Sequence, residues 1–154
     1  MLTYTTAPMD DDVHIAGSPV IDVHVSSTHA DGLLLVYLED VDEAGQSRYI
    51  TEGGLRLIHR KTTRDTTFGI DPYHSFERRD AAPMPRGQPT RVTFRILPTS
   101  VVIKKGHRLR LAVAGADDGI LERVPADGTP TLTVHRGPSA LSFLTVPIVP
   151  RAGR

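Results

Sequence analysis

The chain has 154 residues, 39% hydrophobic and 23% charged, a balance that suits one soluble globular domain with its own core and excludes a disordered chain. Its 18 basic and 18 acidic side chains cancel, which removes the summed field that gathers phosphate backbones or anionic lipid, so no nucleic acid and no membrane is expected as partner. There is no cysteine, which excludes a disulfide framework, thiolate catalysis and cysteine-ligated metal.

Residues 1–12 carry Tyr4 and the run Asp10, Asp11, Asp12, where a secretory signal needs a basic end and an apolar stretch. No apolar run approaches membrane-spanning length, and the expected compartment is cytoplasmic. The first strand is predicted over residues 2–6. In the next, Ile21, Val23 and Val25 alternate with Asp22, His24 and Ser26, the period of two that a strand between core and water requires. Leu33–Val41 is apolar on both faces and should lie centrally in its sheet.

Residues 42–47, with Gly45 free to take positive φ, predict a hairpin turn, followed by strands at 48–52 and 55–60. Residues 61–89 break the rhythm with prolines at 72, 83, 85 and 89. A connection of that length either serves a function or docks on something. The alternation resumes over 90–96, where Val92, Phe94 and Ile96 fall on one face and Arg91, Thr93 and Arg95 on the other. A strand at 101–103, a hairpin turn at 104–107 around Gly106, and the alternating Leu109, Leu111 and Val113 follow, with further strands at 131–135 and 140–146. About nine short antiparallel strands and one long loop predict an all-β protein, a jelly-roll β-sandwich, occupying residues 1–150 as a single domain with a flexible tail at 151–154.

The chemistry-bearing patterns are sparse. No Gly-x-Ser-x-Gly elbow is present, and Gly17-Ser18-Pro19 and Gly137-Pro138-Ser139 read as β-turns. The seven histidines (His14, His24, His29, His59, His74, His107 and His135) form neither a His-x-His pair nor a His-Glu-x-x-His helix, so no metal is expected. Asp22 and His24 share a strand face, which permits a hydrogen bond or half a metal site, though the default reading of the same alternation places them in solvent; Asp10 to Asp12 and Asp117, Asp118 and Glu122 read as solvated carboxylates rather than a calcium loop. No glycine-rich phosphate loop occurs, and no cofactor is expected.

Taken in order, residues 40–60 (DVDEAGQSRYITEGGLRLIHR), Pro72-Tyr73-His74-Ser75-Phe76 with residues 78–83 (RRDAAP), residues 94–117 (FRILPTSVVIKKGHRLRLAVAGAD) and 130–147 (PTLTVHRGPSALSFLTVP) resemble one family. It is the C-terminal non-catalytic jelly-roll domain of the X-Pro dipeptidyl-peptidase and cocaine-esterase (CocE/NonD) hydrolases, a galactose-binding-domain-like fold. The resemblance extends back through residues 2–27 and so covers nearly the whole chain. It implies an accessory domain that packs on an α/β-hydrolase domain holding the Ser-Asp-His triad and helps shape its substrate cleft. No triad residue has a counterpart in this sequence, so no enzyme is expected.

Met1 falls where the family's chain still runs on from its catalytic domain, which reads as a domain without its enzyme: a split gene, a decayed fragment or an expressed piece. A face that packs on a catalytic domain in the relatives would then be exposed, so the expected partner is a separate α/β-hydrolase chain or a second copy of this one. The long loop is the candidate contact, with Tyr73, His74 and Phe76 as aromatic anchors beside Arg78 and Arg79; the same loop folded back on its own sandwich is the competing reading. The rival function is a free-standing jelly roll binding carbohydrate or another small ligand on a concave face that presents Tyr4, Tyr37 or Tyr49. The absence of tryptophan lowers that rival.

Overall fold

The computed structural model describes residues 1–64, 70–119 and 121–150, so the tail expected at 151–154 lies outside the described residues. The described chain is all-β, a β-sandwich of ten strands: β1 Leu2–Thr5, β2 Val13–Gly17, β3 Val20–Ser27, β4 Leu33–Val41, β5 Ser47–Arg56, β6 Thr90–Arg95, β7 Thr99–Ile103, β8 Arg108–Ala114, β9 Leu132–His135 and β10 Phe143–Thr145. Short 3-10 turns occupy Leu57–His59 and Arg78–Asp80.

One sheet runs β1-β8-β4-β5, with β4 flanked on both sides as its two-sided apolarity predicts. The facing sheet runs β10-β3-β6, with β9 pairing the C-terminal half of β3, and β2 and β7 form a separate two-stranded ribbon. All these strand pairs are antiparallel.

The core lies between the two larger sheets. Leu34, Val36 and Leu38 of β4 meet Ile21, Val23 and Val25 of β3 and Val92, Phe94 and Ile96 at β6, all buried in one cluster. At about 25 cal/mol per Å² of apolar surface, burial of this set is the principal source of stability. The edges of the sheets meet at Gly53, where a Cβ would stand 2.8 Å from the Ile96 Cα. Thr51 donates its hydroxyl to the Leu97 carbonyl at 2.9 Å, and the Leu97 amide donates to Glu52 at 2.9 Å, so the seam is hydrogen-bonded as well as packed.

Three expectations are corrected and one strand, β2, had not been expected. The two strands predicted at 48–52 and 55–60 are one strand, β5: Gly53-Gly54 reads as a break, but it is the close approach of Ile96 that demands a residue without Cβ. Residues 57–59 turn as a 3-10 helix because Leu57 leaves the sheet to bury its side chain, its amide donating to Gly32 at 2.9 Å. β2 was hidden by its brevity, with only Val13 and Ile15 alternating. The turn at 104–107 exists, with Gly106 at φ +84°, yet it is no hairpin, since it carries the chain from the β2-β7 ribbon to β8 in another sheet.

Candidate interface loop

The described part of the long connection is tied to the sandwich by its backbone. Ala82 donates to the Ile58 carbonyl at 2.9 Å, Met84 to Ala30 at 2.7 Å and Gly87 to Ser27 at 2.8 Å, while the Met84 side chain is buried. Arg60 braces the return limb, donating to the carbonyls of Ala82 at 2.5 Å and Pro83 at 3.0 Å. Ser75 donates to Asp80 at 2.7 Å and Lys61 pairs with the same carboxylate; the Lys61 hydrogen bond first, then that of Ser75, holds the Asp80 carboxyl below its ordinary range.

The five residues singled out in this loop divide into two groups. His74 is buried, 7% exposed, with Nδ1 3.1 Å from the Lys61 carbonyl and Nε2 2.9 Å from the Thr93 carbonyl of β6. It fastens the loop to the sheet and is not available as a surface anchor. Tyr73 and Phe76 are exposed, at 41% and 60%. Phe76 takes φ +55°, the left-handed region that side chains with a Cβ disfavour, and its ring packs at 5.5 Å on His59 and at 5.9 Å on His74. Arg78 and Arg79 are exposed on the 3-10 turn, with Arg79 paired to Glu77 at 2.7 Å.

Tyr73, His74 and Phe76 line a cleft of about 220 Å³ with Gly54, Leu55, Phe94 and Arg95, so the loop's aromatics and the sheet share one concavity. Sequence reading gave His59 and Arg95 no role beside the loop: the His59 Nδ1 and Arg95 Nε are buried without a hydrogen-bond partner among the described residues. Arg95's place on the outer strand face was readable, but its neighbours across the fold were not.

The other candidates are dispersed. Asp22 is bound by Arg91, and His24 Nδ1 lies 2.9 Å from the Leu141 carbonyl, so the two serve different partners. His107 contacts Asp40 at 2.9 Å and His135 contacts Ser26 at 2.9 Å. Among the described residues no three histidine or carboxylate side chains converge as metal ligands would. Asp12 accepts from Lys104 and from the Lys105 amide, and Asp117 accepts from the Tyr37 hydroxyl. Burial first, then that hydrogen bond, pushes the Tyr37 phenol up to about 12, so it remains a donor at neutral pH. Tyr4 packs against the core, whereas Tyr37 lies on the opposite, outer face of its sheet with Tyr49, which pairs with Glu39, so two of the three tyrosines share a surface and Tyr4 does not join them. No helix among the described residues is long and apolar enough to cross a membrane.

This architecture is that of the β-sandwich of the CocE/NonD hydrolases. A CocE/NonD family hydrolase from Staphylococcus aureus matches with a TM-score of 0.81 at 19% identity, over 97% of this chain and 30% of that one. An alpha-amino acid ester hydrolase matches with a TM-score of 0.77 at 20% identity, over 96% of this chain and 25% of that one. In sequence, a Mycobacterium bovis protein that bears the name "Putative serine esterase" is 40% identical over 97% of this chain and 24% of its own length. The cocaine esterase of a Rhodococcus species is 24% identical over 98% of this chain and 26% of its own. The chain thus spans about a quarter of the length of the curated relatives it matches. The model of the X-Pro dipeptidyl-peptidase C-terminal non-catalytic domain matches residues 1–145, and the chain belongs to that family.

Proposed function

We propose that residues 1–150 act as one accessory domain that packs on an α/β-hydrolase catalytic domain and helps form the wall of its substrate cleft. The observation that supports this reading is the Phe76 ring, exposed at 60% yet held at a left-handed φ against two histidine rings, inside a family whose members are parts of longer hydrolases. A fixed, exposed aromatic flanked by arginines has the composition of an interface hot spot, and its ordering cost is met before binding. Tyr73 and Phe76 are the anchors of this contact, Arg78 and Arg79 its charged rim, and His74 the residue that positions them.

The test is reconstitution. The catalytic portion of the Mycobacterium bovis relative, the part this chain does not match, is co-purified with this chain, and affinity is measured by calorimetry alongside hydrolysis of a nitrophenyl ester. A complex whose affinity falls about 30-fold or more in the Tyr73→Ala, Phe76→Ala double variant, with a changed ester KM on complex formation, supports the reading. A complex indifferent to that variant places the contact elsewhere, and a chain that pairs only with its own copy replaces the hydrolase with self-association.

A further inference from the structure

Between β9 and β10 the chain leaves the ladder. Pairing with β3 stops at His135 opposite His24 and resumes at Phe143 opposite Asp22. The intervening excursion is pinned at its base: Ser142 donates its hydroxyl to the His135 carbonyl at 2.7 Å and accepts from the His24 amide at 3.0 Å.

Where this strand is interrupted, a cavity of about 260 Å³ opens between the two sheets. Its walls are Val23, Leu109, Leu111, Val134 and Leu144, with the Tyr4 ring on one side of the mouth. No acidic side chain lines it. Three of the hydroxyls nearby have partners: Thr6 donates to the Ala7 carbonyl at 2.7 Å, Thr5 accepts from Arg110 at 3.1 Å, and Ser142 is spent as above.

One polar group at the mouth is different. Arg136 lies on the excursion with its guanidinium carbon 5.2 Å from the centroid of the Tyr4 ring. Arg136 forms no hydrogen bond or ion pair with any described residue, so its N–H donors remain open beside the ring. An oriented cation with open donors therefore stands at the entrance of an apolar space.

We propose that this cavity is a binding site for a small organic carboxylate with an apolar body, of the arylalkanoate class. The body lies between the sheets and the carboxylate meets the N–H edge of Arg136. An apolar cavity of about 150 Å³ suffices to take up benzene, so the space here holds one ring and a short chain but not an extended lipid. An arginine fork matches a carboxylate in two parallel hydrogen bonds, whereas a cationic ligand would meet Arg136 with no carboxylate in the lining to offset it. The site is remote in sequence from the loop of Tyr73 and Phe76, and this inference stands whether or not that loop docks on a hydrolase.

The experiment uses the 154-residue chain, ¹⁵N-labelled and titrated with 3-phenylpropionate and with the isosteric 3-phenylpropionamide while amide resonances are followed. The expected result is a saturable shift of resonances in β1, β8, β9 and β10 with the acid, and binding of the amide weaker by about tenfold or more. Arg136→Gln, an exposed position whose change leaves the Tm near wild type, removes the preference for the acid, and Val134→Phe fills the cavity and abolishes both responses. The proposal is overturned if no saturable shift occurs up to about 10 mM ligand, a concentration that corresponds to negligible affinity. Shifts that map away from these strands, or an acid preference that survives Arg136→Gln, overturn it equally.

Discussion

Arg91 reaches diagonally across β6 and β3 to clamp Asp22, its Nε 2.8 Å from one carboxylate oxygen and its Nη2 2.5 Å from the other. The ladder register sets Asp22 opposite Thr93 and Arg91 opposite His24, so the pair is a diagonal one of the kind that long side chains bridge. The Asp22 side chain is 7% exposed while that of Arg91 is 64% exposed, and the guanidinium's hydrogen bond holds the carboxyl below its ordinary range despite the opposing effect of burial.

A pH dependence follows. A carboxyl whose folded pKa is depressed contributes stability that is present above the unfolded value, about 3.9, and is lost as pH falls through the folded value. Asp22→Asn is therefore expected to unfold at a lower temperature than the wild type at pH 7, with the gap closing below about pH 4. Thermal unfolding of both proteins by circular dichroism between pH 7 and pH 2 measures this. A gap of constant size across the range would show that the pair's charge is irrelevant.

Gly53 marks the closure of the sandwich. Gly53→Ala forces a Cβ to within 2.8 Å of the Ile96 Cα, a backbone atom that moves only with its strand, and is expected to cost about 1–3 kcal/mol. Gly137→Ala, where nothing lies within 4 Å of the added carbon, serves as the comparison and is expected to change stability by no more than about 0.5 kcal/mol. Urea unfolding of both variants decides it, and equal midpoints would contradict the close approach.

His74→Ala removes the ring that lies against two carbonyls, Lys61 and Thr93, and leaves a void beneath the loop. At about 1–3 kcal/mol for a buried polar group left unsatisfied, a loss of about 2 kcal/mol or more is expected. Limited proteolysis provides a second reading, with faster cleavage between residues 61 and 89 than in the wild type. A loop as resistant as before would mean that its backbone ties alone suffice.

The strain at Phe76 is separable from the contacts of its ring. Phe76→Ala and Phe76→Gly both remove the ring, but only alanine keeps a Cβ at φ +55°, so the glycine variant is expected to be the more stable by about 1 kcal/mol. Chemical denaturation of the two side by side settles the comparison. An alanine variant as stable as the glycine one would show that the backbone relaxes once the ring is gone.

Much of the fold was legible because period-two alternation is a local property. Val92, Phe94 and Ile96 announce a half-buried strand without reference to anything else in the chain, and the two-sided apolarity of Leu33–Val41 announces a central one. Gly53-Gly54 misled for the opposite reason: a glycine that breaks a strand and one that admits a neighbour read alike until the neighbour is in place. The same limit governed the loop. Its aromatics were visible in sequence, but that His74 turns inward while Phe76 turns outward depends on where the carbonyls of Lys61 and Thr93 lie, and Lys61 and Thr93 are set by different parts of the fold. The cavity beside Arg136 left no sequence signal, because it arises from a strand interrupted between His135 and Phe143 and from apolar residues that otherwise read as ordinary core.

β6 is the outermost strand of its sheet, and the Thr93 carbonyl that His74 occupies belongs to it. An outer strand offers unsatisfied backbone groups to any extended segment that arrives, which makes it a template for aggregation or strand exchange. By seating an imidazole on that carbonyl, the loop occupies one of the groups an incoming strand would need. The segment that presents Tyr73 and Phe76 outward thus guards the sheet on its inner side, so shortening it would expose a site for fibre growth as well as remove the proposed contact.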